Sequence, residues 1–487
     1  MARGLAALAV AVLAVAGVVA VRTFTYAPQG ETGPPAKLAG PVAIDARGAA
    51  ARLSHAIQFQ TVSHQDPAQN QWAEWDRLHA WLASTYPAAH AAMTRESVAG
   101  HGLVYTWAGT DRSLPPIVLM AHQDVVPVTP GTEGDWRHPP FAGVIEGGAV
   151  WGRGAIDDKG SLVGLFEAVE TLAAQGFTPR RTVILVSGHD EEVGGTGARA
   201  AAALIAARGM KAQFVLDEGM LVVRDNPVTG KPTAIIGVAE KGYATLMVTA
   251  KAEGGHSSAP PKDGGGVVAL SRAVTAIADA PFKPKFDGPG ADMLRHLAPQ
   301  ASPVVRMAVA NTWLFGPLLV DQMSATPPGA ALLHTTIAPT MLKGSPKENV
   351  LPQDATAWIN YRIAPGQTSA EVMARAKDAV GELPVTLAWV GTPNEPSPVS
   401  STSSEAWRTL SSLAGEVSGA PVAPGLVTAG TDSRFLQPVA ENVYRFQPVV
   451  LSLKDTAMIH GTNEHITIEN LERMVQFYAR LIATAAA

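Results

Sequence analysis

The chain has no cysteine among its 487 residues. That absence removes disulfides, thiolate metal ligands and cysteine nucleophiles together, so any metal ion must be held by His, Asp and Glu. A lysine- or arginine-rich tract is also missing, and 37 basic side chains stand against 42 acidic ones for a formal charge of −5. This distribution excludes a nucleic-acid footprint and leaves a small molecule or short peptide as the ligand class. Neither the G-x-S-x-G elbow of serine hydrolases nor the H-E-x-x-H of single-zinc proteases occurs. Internal repeats and long low-complexity tracts are absent too. What is present is a 47% hydrophobic content, enough for a large core divided between at least two domains.

One long unbroken apolar run, Gly4 to Val21, lies between Arg3 and Arg22. It approaches the roughly 20 residues that span a bilayer and exceeds the ~7 to 15 of a signal-peptide core, which predicts an uncleaved anchor. The triplets Ala14-Val15-Ala16 and Val18-Val19-Ala20 keep a cleaved signal open. Residues 1–22 are therefore a membrane anchor or signal segment, and the Pro/Gly-containing stretch 23–41 a linker. Either reading carries the bulk of the chain out of the cytoplasm, membrane-anchored or secreted, into a periplasm or organelle lumen.

From Val42 onward, short apolar strands alternate with helical stretches, the rhythm of an α/β domain with a mostly parallel central sheet. Ile117 to Ala121, Thr182 to Ser187 and Phe214 to Leu216 read as buried strands, and Ser161 to Gln175 and Thr196 to Arg208 as helices. Ligand sites in such folds form beyond the carboxyl ends of the strands. There "LMAHQDVVPV" places His122 and Asp124, "LVSGHDEEVGG" places Glu191 and Glu192, and "FVLDEG" places Asp217 and Glu218. "WGRGAIDDKGS" sets Asp157 and Asp158 ahead of a helix, and "MIHGTNEHI" adds His460.

Carboxylates side by side at the end of a buried strand repel one another, and desolvating each without a partner costs several kcal/mol on an order-of-magnitude scale. A positive charge belongs there. Imidazoles and carboxylates without thiolate suit zinc, with cobalt or manganese as substitutes. Two ions about 3.5 to 4 Å apart, bridged by one carboxylate, account for the density of acids. One glutamate of the pair then binds metal while its neighbour takes a proton from water.

The order H-x-D, GRG-x-x-D-D-K-G, D-E-E-x-G-G, L-D-E-G and a C-terminal histidine resembles the co-catalytic dizinc amidohydrolases and exopeptidases, which include aminoacylases, carnosinases and succinyl-diaminopimelate desuccinylase. "AHQDVVPV", "VWGRGAIDDKGS", "FVLDEG" and "IHGTNE" are most similar to the branch of Gly-X carboxypeptidases and N-fatty-acyl-amino-acid synthase/hydrolases. The resemblance implies a zinc-exopeptidase-like catalytic domain in two parts, 42–240 and 391–487, with an inserted α+β lid or dimerisation domain at 241–390. It implies two zinc ions per subunit: His122 and Asp217 on one, Glu192 and His460 on the other, and Asp157 bridging. Asp124 would orient His122, Glu191 would act as general base, and the Asp157–Asp158 bond would be cis.

In the insert the resemblance assigns His256 of "GGHSS" to the scissile carbonyl, from a partner subunit where the enzyme is a homodimer. Asn349 and Arg362 would grip substrate, the guanidinium suiting a terminal carboxylate, with Gly430 and Thr431 lining the pocket. The implied activity is zinc-dependent hydrolysis of an amide bond next to a free-carboxylate amino acid, as a carboxypeptidase on short Gly-X-like peptides. An N-acyl-amino-acid hydrolase or synthase is the alternative. A non-catalytic binding protein on the same scaffold would be expected to have lost the base, yet Glu191 is present. Asp158 and Glu218 suit a helix cap or loop acid equally well, and His189 reads as a loop residue. The insert exceeds a simple lid in Phe282 to Pro339, where "RMAVANTWLFGPLLV" is strongly apolar.

Overall fold

In the computed structural model, which describes residues 2–28 and 35–487, the apolar strands assemble into a ten-stranded sheet. Residues 29–34 of the expected linker lie outside the described residues. Val183–Ser187, Ile117–Met120 and Phe214–Asp217 are neighbours in that order and run parallel. All three are buried along their whole length, so they carry apolar side chains on both faces rather than alternating. Helices Lys159–Ala174 and Thr196–Ala207 fall where the sequence places them. The sheet edge beside Val183–Ser187 is antiparallel, formed by Gly102–Trp107 and Thr94–Val98. The C-terminal helix Ile468–Ala485 contributes Leu471, Met474, Phe477 and Leu481 to the core shared with Lys159–Ala174.

A four-stranded antiparallel sheet follows, ordered Thr336–Lys343, Asp354–Ile363, Gly242–Lys251, Val385–Trp389. Burial alternates residue by residue along Gly242–Lys251, as expected of a sheet covered on one face. Helices Gly265–Ala278 and Ser369–Val380 cover it through Leu270, Ala273, Ile277, Val372 and Ala376. The chain passes between the sheets at Glu240 to Gly242. Lys241 donates from Nζ to the carbonyls of Ala331 (3.0 Å) and His334 (2.8 Å), tying this crossing to the end of the helical insertion.

The apolar run near the N-terminus forms the helix Ala2–Phe24, long and apolar enough to cross a membrane by length and composition. Over most of its length it is exposed among the described residues. Its last two turns touch the insertion, whose excess residues form the helices Gly288–Leu297, Pro303–Ala310, Thr312–Ser324 and Pro327–Ala331.

Candidate metal centre

His122 leaves the middle one of the three parallel strands, with Glu191 and Glu192 following the strand on one side and Glu218 that on the other. Strand order alone thus converges the acids on one imidazole. His122 Nδ1 lies 3.0 Å from the Asp124 carbonyl, an acceptor, so the neutral ring carries its proton there and turns the Nε2 lone pair toward Asp157. Nε2 is 2.9 Å from Asp157 Oδ1, and the other carboxylate oxygen, Oδ2, is 2.9 Å from His460 Nε2. His460 Nε2 is also 3.1 Å from Glu192 Oε2. Two groups of ligand atoms result, His122 with Asp157 and Glu218, and Asp157 with Glu192 and His460, each mutually within 4.8 Å.

Asp157 belongs to both groups. Asp217, the expected partner of His122, belongs to neither group among the described residues. The physical reason is strand alternation. Asp217 ends its strand and accepts a hydrogen bond from Ser433 N at 2.8 Å, while Glu218, one residue on, turns to the opposite side and faces the imidazole. Glu218 thus stands with His122 and Asp157 in a group that could hold a metal ion.

The supports are as specific as the ligands. Asp124 Oδ1 accepts from Glu191 N (3.1 Å), while Oδ2 accepts from Glu192 N (3.2 Å) and Ser63 Oγ (2.6 Å), so one buried carboxylate fixes the whole Glu191–Glu192 turn beside His122. Gly188 lets the Asp432 carboxylate approach that turn, since a Cβ there would lie 2.0 Å from Asp432 Oδ2 and force it to move. Glu464 has no assigned role in the sequence reading, yet it holds the loop of Asp157. It is fully buried, accepts from the backbone N–H groups of Gly154 (3.0 Å), Ile156 (2.9 Å) and Asp157 (3.1 Å), and pairs with Arg153 at 2.7 Å. Its only sequence signal is an acid four residues after His460. Arg153 also donates to the carbonyls of His460 (3.1 Å) and Gly461 (2.9 Å). His460 sits at φ 60°, a left-handed conformation that costs an L-residue roughly 1–2 kcal/mol, which these bonds offset. The Asp157–Asp158 bond is cis. Asp158 stands at the N-cap of Lys159–Ala174, but its side chain makes no capping bond and instead accepts from His122 N (3.2 Å) and Gln447 Nε2 (2.7 Å) inside the site.

Burial, and then the charges of neighbouring carboxylates, hold Glu218 well above the ordinary carboxylate range; burial with the nearby Asp432 does the same for Glu191. His460 is pushed up to about 10 by its hydrogen bonds to Asp157 and Glu192. Glu192 Oε1 is buried without a hydrogen-bond partner among the described residues. An orphaned carboxylate oxygen amid crowded acids, imidazoles presenting Nε2, and no thiolate are the environment that a divalent cation satisfies.

Thr431 and Gly430 belong to a loop tied to this centre. Thr431 N donates to Glu240 Oε2 at 2.8 Å, and Glu240 is held by the buried Arg445. From the same loop Arg434 reaches Glu191, Nη1 to Oε1, at 3.5 Å. His256 and Arg362 are elsewhere, on the strands Gly255–His256 and Asp354–Ile363 of the smaller sheets, and Asn349 is in the turn before Val350–Leu351. His256 is exposed and bonded to Ser258, Asn349 is exposed, and Arg362 lies over the Tyr243 ring at 4.8 Å. Among the described residues none of the three has a hydrogen bond or ion pair to the centre.

His79, outside every motif in the sequence, props the His122 motif from behind. Its Nε2 is 2.6 Å from Gln123 Oε1, and Gln123 Nε2 donates to the Ser187 carbonyl at 2.9 Å. Burial pushes this imidazole from 6.5 down to about 4. Above pH 6.5 it is neutral in both states; below, the unfolded chain takes up a proton that the folded chain refuses, so stability is lost as pH falls from 6.5 to 4. The loss attributable to this residue reaches about 3 kcal/mol at most. Urea titrations of His79→Gln are expected to show a shallower fall in unfolding free energy across that window than the parent chain. Equal slopes would rule the contribution out.

Fold and site together define a metallopeptidase. The chain belongs to peptidase family M20/M25/M40, whose model matches residues 118–484. It is 35% identical over 440 residues to the probable carboxypeptidase S-like 2 of Dictyostelium discoideum, covering 89% of this chain and 84% of that protein. It is 36% identical over 438 residues to the N-fatty-acyl-amino acid synthase/hydrolase of Xenopus tropicalis, covering 88% and 84%. In structure it is similar to an M20 family metallo-carboxypeptidase from Sulfolobus solfataricus, with a TM-score of 0.64 over 90% of this chain and 98% of that one; at 16% identity this likeness speaks for the fold.

Proposed function

We propose that the chain hydrolyses the amide bond next to a free-carboxylate amino acid with two zinc ions, as a carboxypeptidase on short Gly-X-like peptides. The observation that carries this is Asp157, whose two oxygens face two different imidazoles. His122, Asp157 and Glu218 would hold one ion, and Asp157, Glu192 and His460 the other, with cobalt or manganese as substitutes. When bound, such ions polarise the carbonyl and acidify water. Glu191, held by Asp124 and Arg434, accepts a proton from the attacking water as its oxygen bonds to the carbonyl carbon. It returns that proton to the amide nitrogen as the C–N bond breaks, leaving a carboxylate and an amine.

His256, Asn349 and Arg362 are assigned to the substrate's carbonyl and carboxylate, reached when the insert 241–390 closes over the parts 42–240 and 391–487, or from a second subunit of a homodimer. Residues 1–22 are assigned to a membrane anchor or signal segment that places the catalytic body in a periplasm or organelle lumen.

The names of the relatives support both substrate readings, a C-terminal peptide residue and an N-acyl amino acid. Zinc-loaded protein assayed against Gly-X dipeptides and N-acyl amino acids of increasing acyl length is expected to show its highest kcat/KM on the dipeptides. A kcat/KM that climbs with acyl length and exceeds the dipeptide values would move the assignment to the N-acyl class. Hydrolysis of neither by protein with two zinc ions bound would overturn the amide-hydrolase reading.

A further inference from the structure

The helical insertion carries an apolar surface that the proposed chemistry does not use. Ser302 caps the helix Pro303–Ala310 by accepting from Val305 N, Pro303 occupies its first turn, and Asn311 separates it from Thr312–Ser324. The inward side packs Ala308, Val309 and Leu319 against Leu294 and Ala298. The outward side leaves Val304 68%, Trp313 53%, Leu314 43% and Leu318 51% exposed. Single exposed apolar residues need no explanation. Here, however, Trp313, Leu314, Pro317 and Leu318 repeat at the spacing that keeps side chains on one helix face. That face turns polar one turn later at the exposed Asp321 and Gln322.

The apolar end of this helix is the end that meets the N-terminal helix. Asn311 Nδ2 donates to Val19 O (3.3 Å) and Thr23 Oγ1 (3.2 Å), Arg22 Nε to Ala310 O (3.1 Å), and Arg306 Nη2 to Phe24 O (3.2 Å). Tyr26 adds a hydrogen bond to Arg295 O at 3.1 Å. Among the described residues the contact is thus confined to the final turns of Ala2–Phe24, and the preceding turns are exposed. A helix of 23 residues is about 34 Å long, slightly more than the ~30 Å hydrocarbon core, so its last turn lies at the boundary between acyl chains and headgroups. Whatever is bonded to that turn lies at the same depth. Tryptophan favours that depth because its ring is amphipathic, and arginine is attracted there by anionic headgroups.

We infer that the helices Pro303–Ala310 and Thr312–Ser324 form a membrane-surface element, with Val304, Trp313, Leu314 and Leu318 seated in the lipid interface beside the point where the N-terminal helix leaves the bilayer. The inference rests on the reading of Ala2–Phe24 as an uncleaved anchor and extends it from a tether to a docked orientation. A tether alone lets the body tumble. Docking through a second site fixes which side of the insert faces the lipid.

The absence of cysteine makes the test direct, because one introduced thiol carries one label. Full-length protein is reconstituted into vesicles of phosphatidylcholine and phosphatidylglycerol with an environment-sensitive fluorophore at Leu13→Cys, Trp313→Cys, Leu318→Cys or Ala203→Cys. Leu13 reports on the anchor. Ala203 is exposed on Thr196–Ala207, which packs at the edge of the ten-stranded sheet opposite to that approached by Gly288–Leu297. Labels at 313 and 318 are expected to be quenched by doxyl-lipid almost as strongly as at 13, and several-fold more than at 203. If 13 is lipid-quenched while 313 and 318 respond to aqueous iodide like 203, the docking inference falls and the anchor stands. Iodide access at 13 removes the anchor and the inference with it. Protection of 313 and 318 from both quenchers identifies a protein cover, such as a second copy of the chain, and overturns the lipid assignment. Should Trp313→Cys not accumulate, loss of brominated-lipid quenching of tryptophan emission in Trp313→Phe reads the same contact.

Discussion

Glu191→Gln is expected to lower kcat by a factor on the order of 10² to 10⁴, the usual cost of a lost general base, with both metals retained. The amide keeps the shape of the side chain but accepts no proton. The backbone N–H of Glu191 remains bonded to Asp124 Oδ1 at 3.1 Å, so the turn that also positions Glu192 is undisturbed. Metal content measured beside kcat separates the roles, because Glu192→Gln removes an oxygen now 3.1 Å from His460 Nε2 and is expected to empty one site. If Glu191→Gln lost metal and Glu192→Gln kept it, the division of labour within the pair would be reversed.

The second large effect distinguishes Glu218 from Asp217. Glu218→Gln removes a charged ligand atom from the group of His122 and Asp157, and is expected to cut the bound metal from two equivalents to near one, with activity falling alongside. Asp217→Asn keeps an oxygen for Ser433 N, bonded to it at 2.8 Å, and removes one of the charges crowding Glu218 and Asp432. Its effect on metal affinity is expected to stay within the 10- to 100-fold typical of residues that support ligands indirectly. Retention of both metals in Glu218→Gln, with loss in Asp217→Asn, would restore the ligand assignment first drawn from the sequence.

Adjacent acids in one motif leave the choice of ligand to the packing. The motif "LDEG" offers two adjacent acids, and adjacency in a strand means opposite faces. Which face looks into the site depends on how the sheet packs, here on the Ser433 turn that engages Asp217. "DEEVGG" posed the same choice and was easier, since Asp124 anchors both amides and each carboxylate then has one direction to take. Glu464 and Gln447 escaped notice for another reason. Neither is a ligand, and a buried acid accepting three backbone N–H groups has no spacing rule to announce it.

The sequence by itself determined the chemistry. Without cysteine, acids and imidazoles at successive strand ends leave a divalent-cation hydrolytic centre of the zinc type as the reading, and the strands and helices that present them follow from local hydrophobic patterning. His122 and Glu192 follow neighbouring parallel strands, whose ends converge whatever the details of packing, whereas Asp157 follows Ala149–Trp151 of a separate antiparallel sheet and His460 precedes its partner strand His465–Thr467, so for these two the motifs named candidates without placing them. Only the tertiary structure decided that Glu218 faces His122, that Arg153 and Glu464 clamp the two loops carrying Asp157 and His460, and that His256, Asn349 and Arg362 stand apart from the centre. The difference is one of range. Periodicity and motif spacing encode contacts along an element or across neighbouring strand ends, whereas the orientation of a side chain and the placement of one sheet against another depend on packing between segments hundreds of residues apart, which no local pattern records.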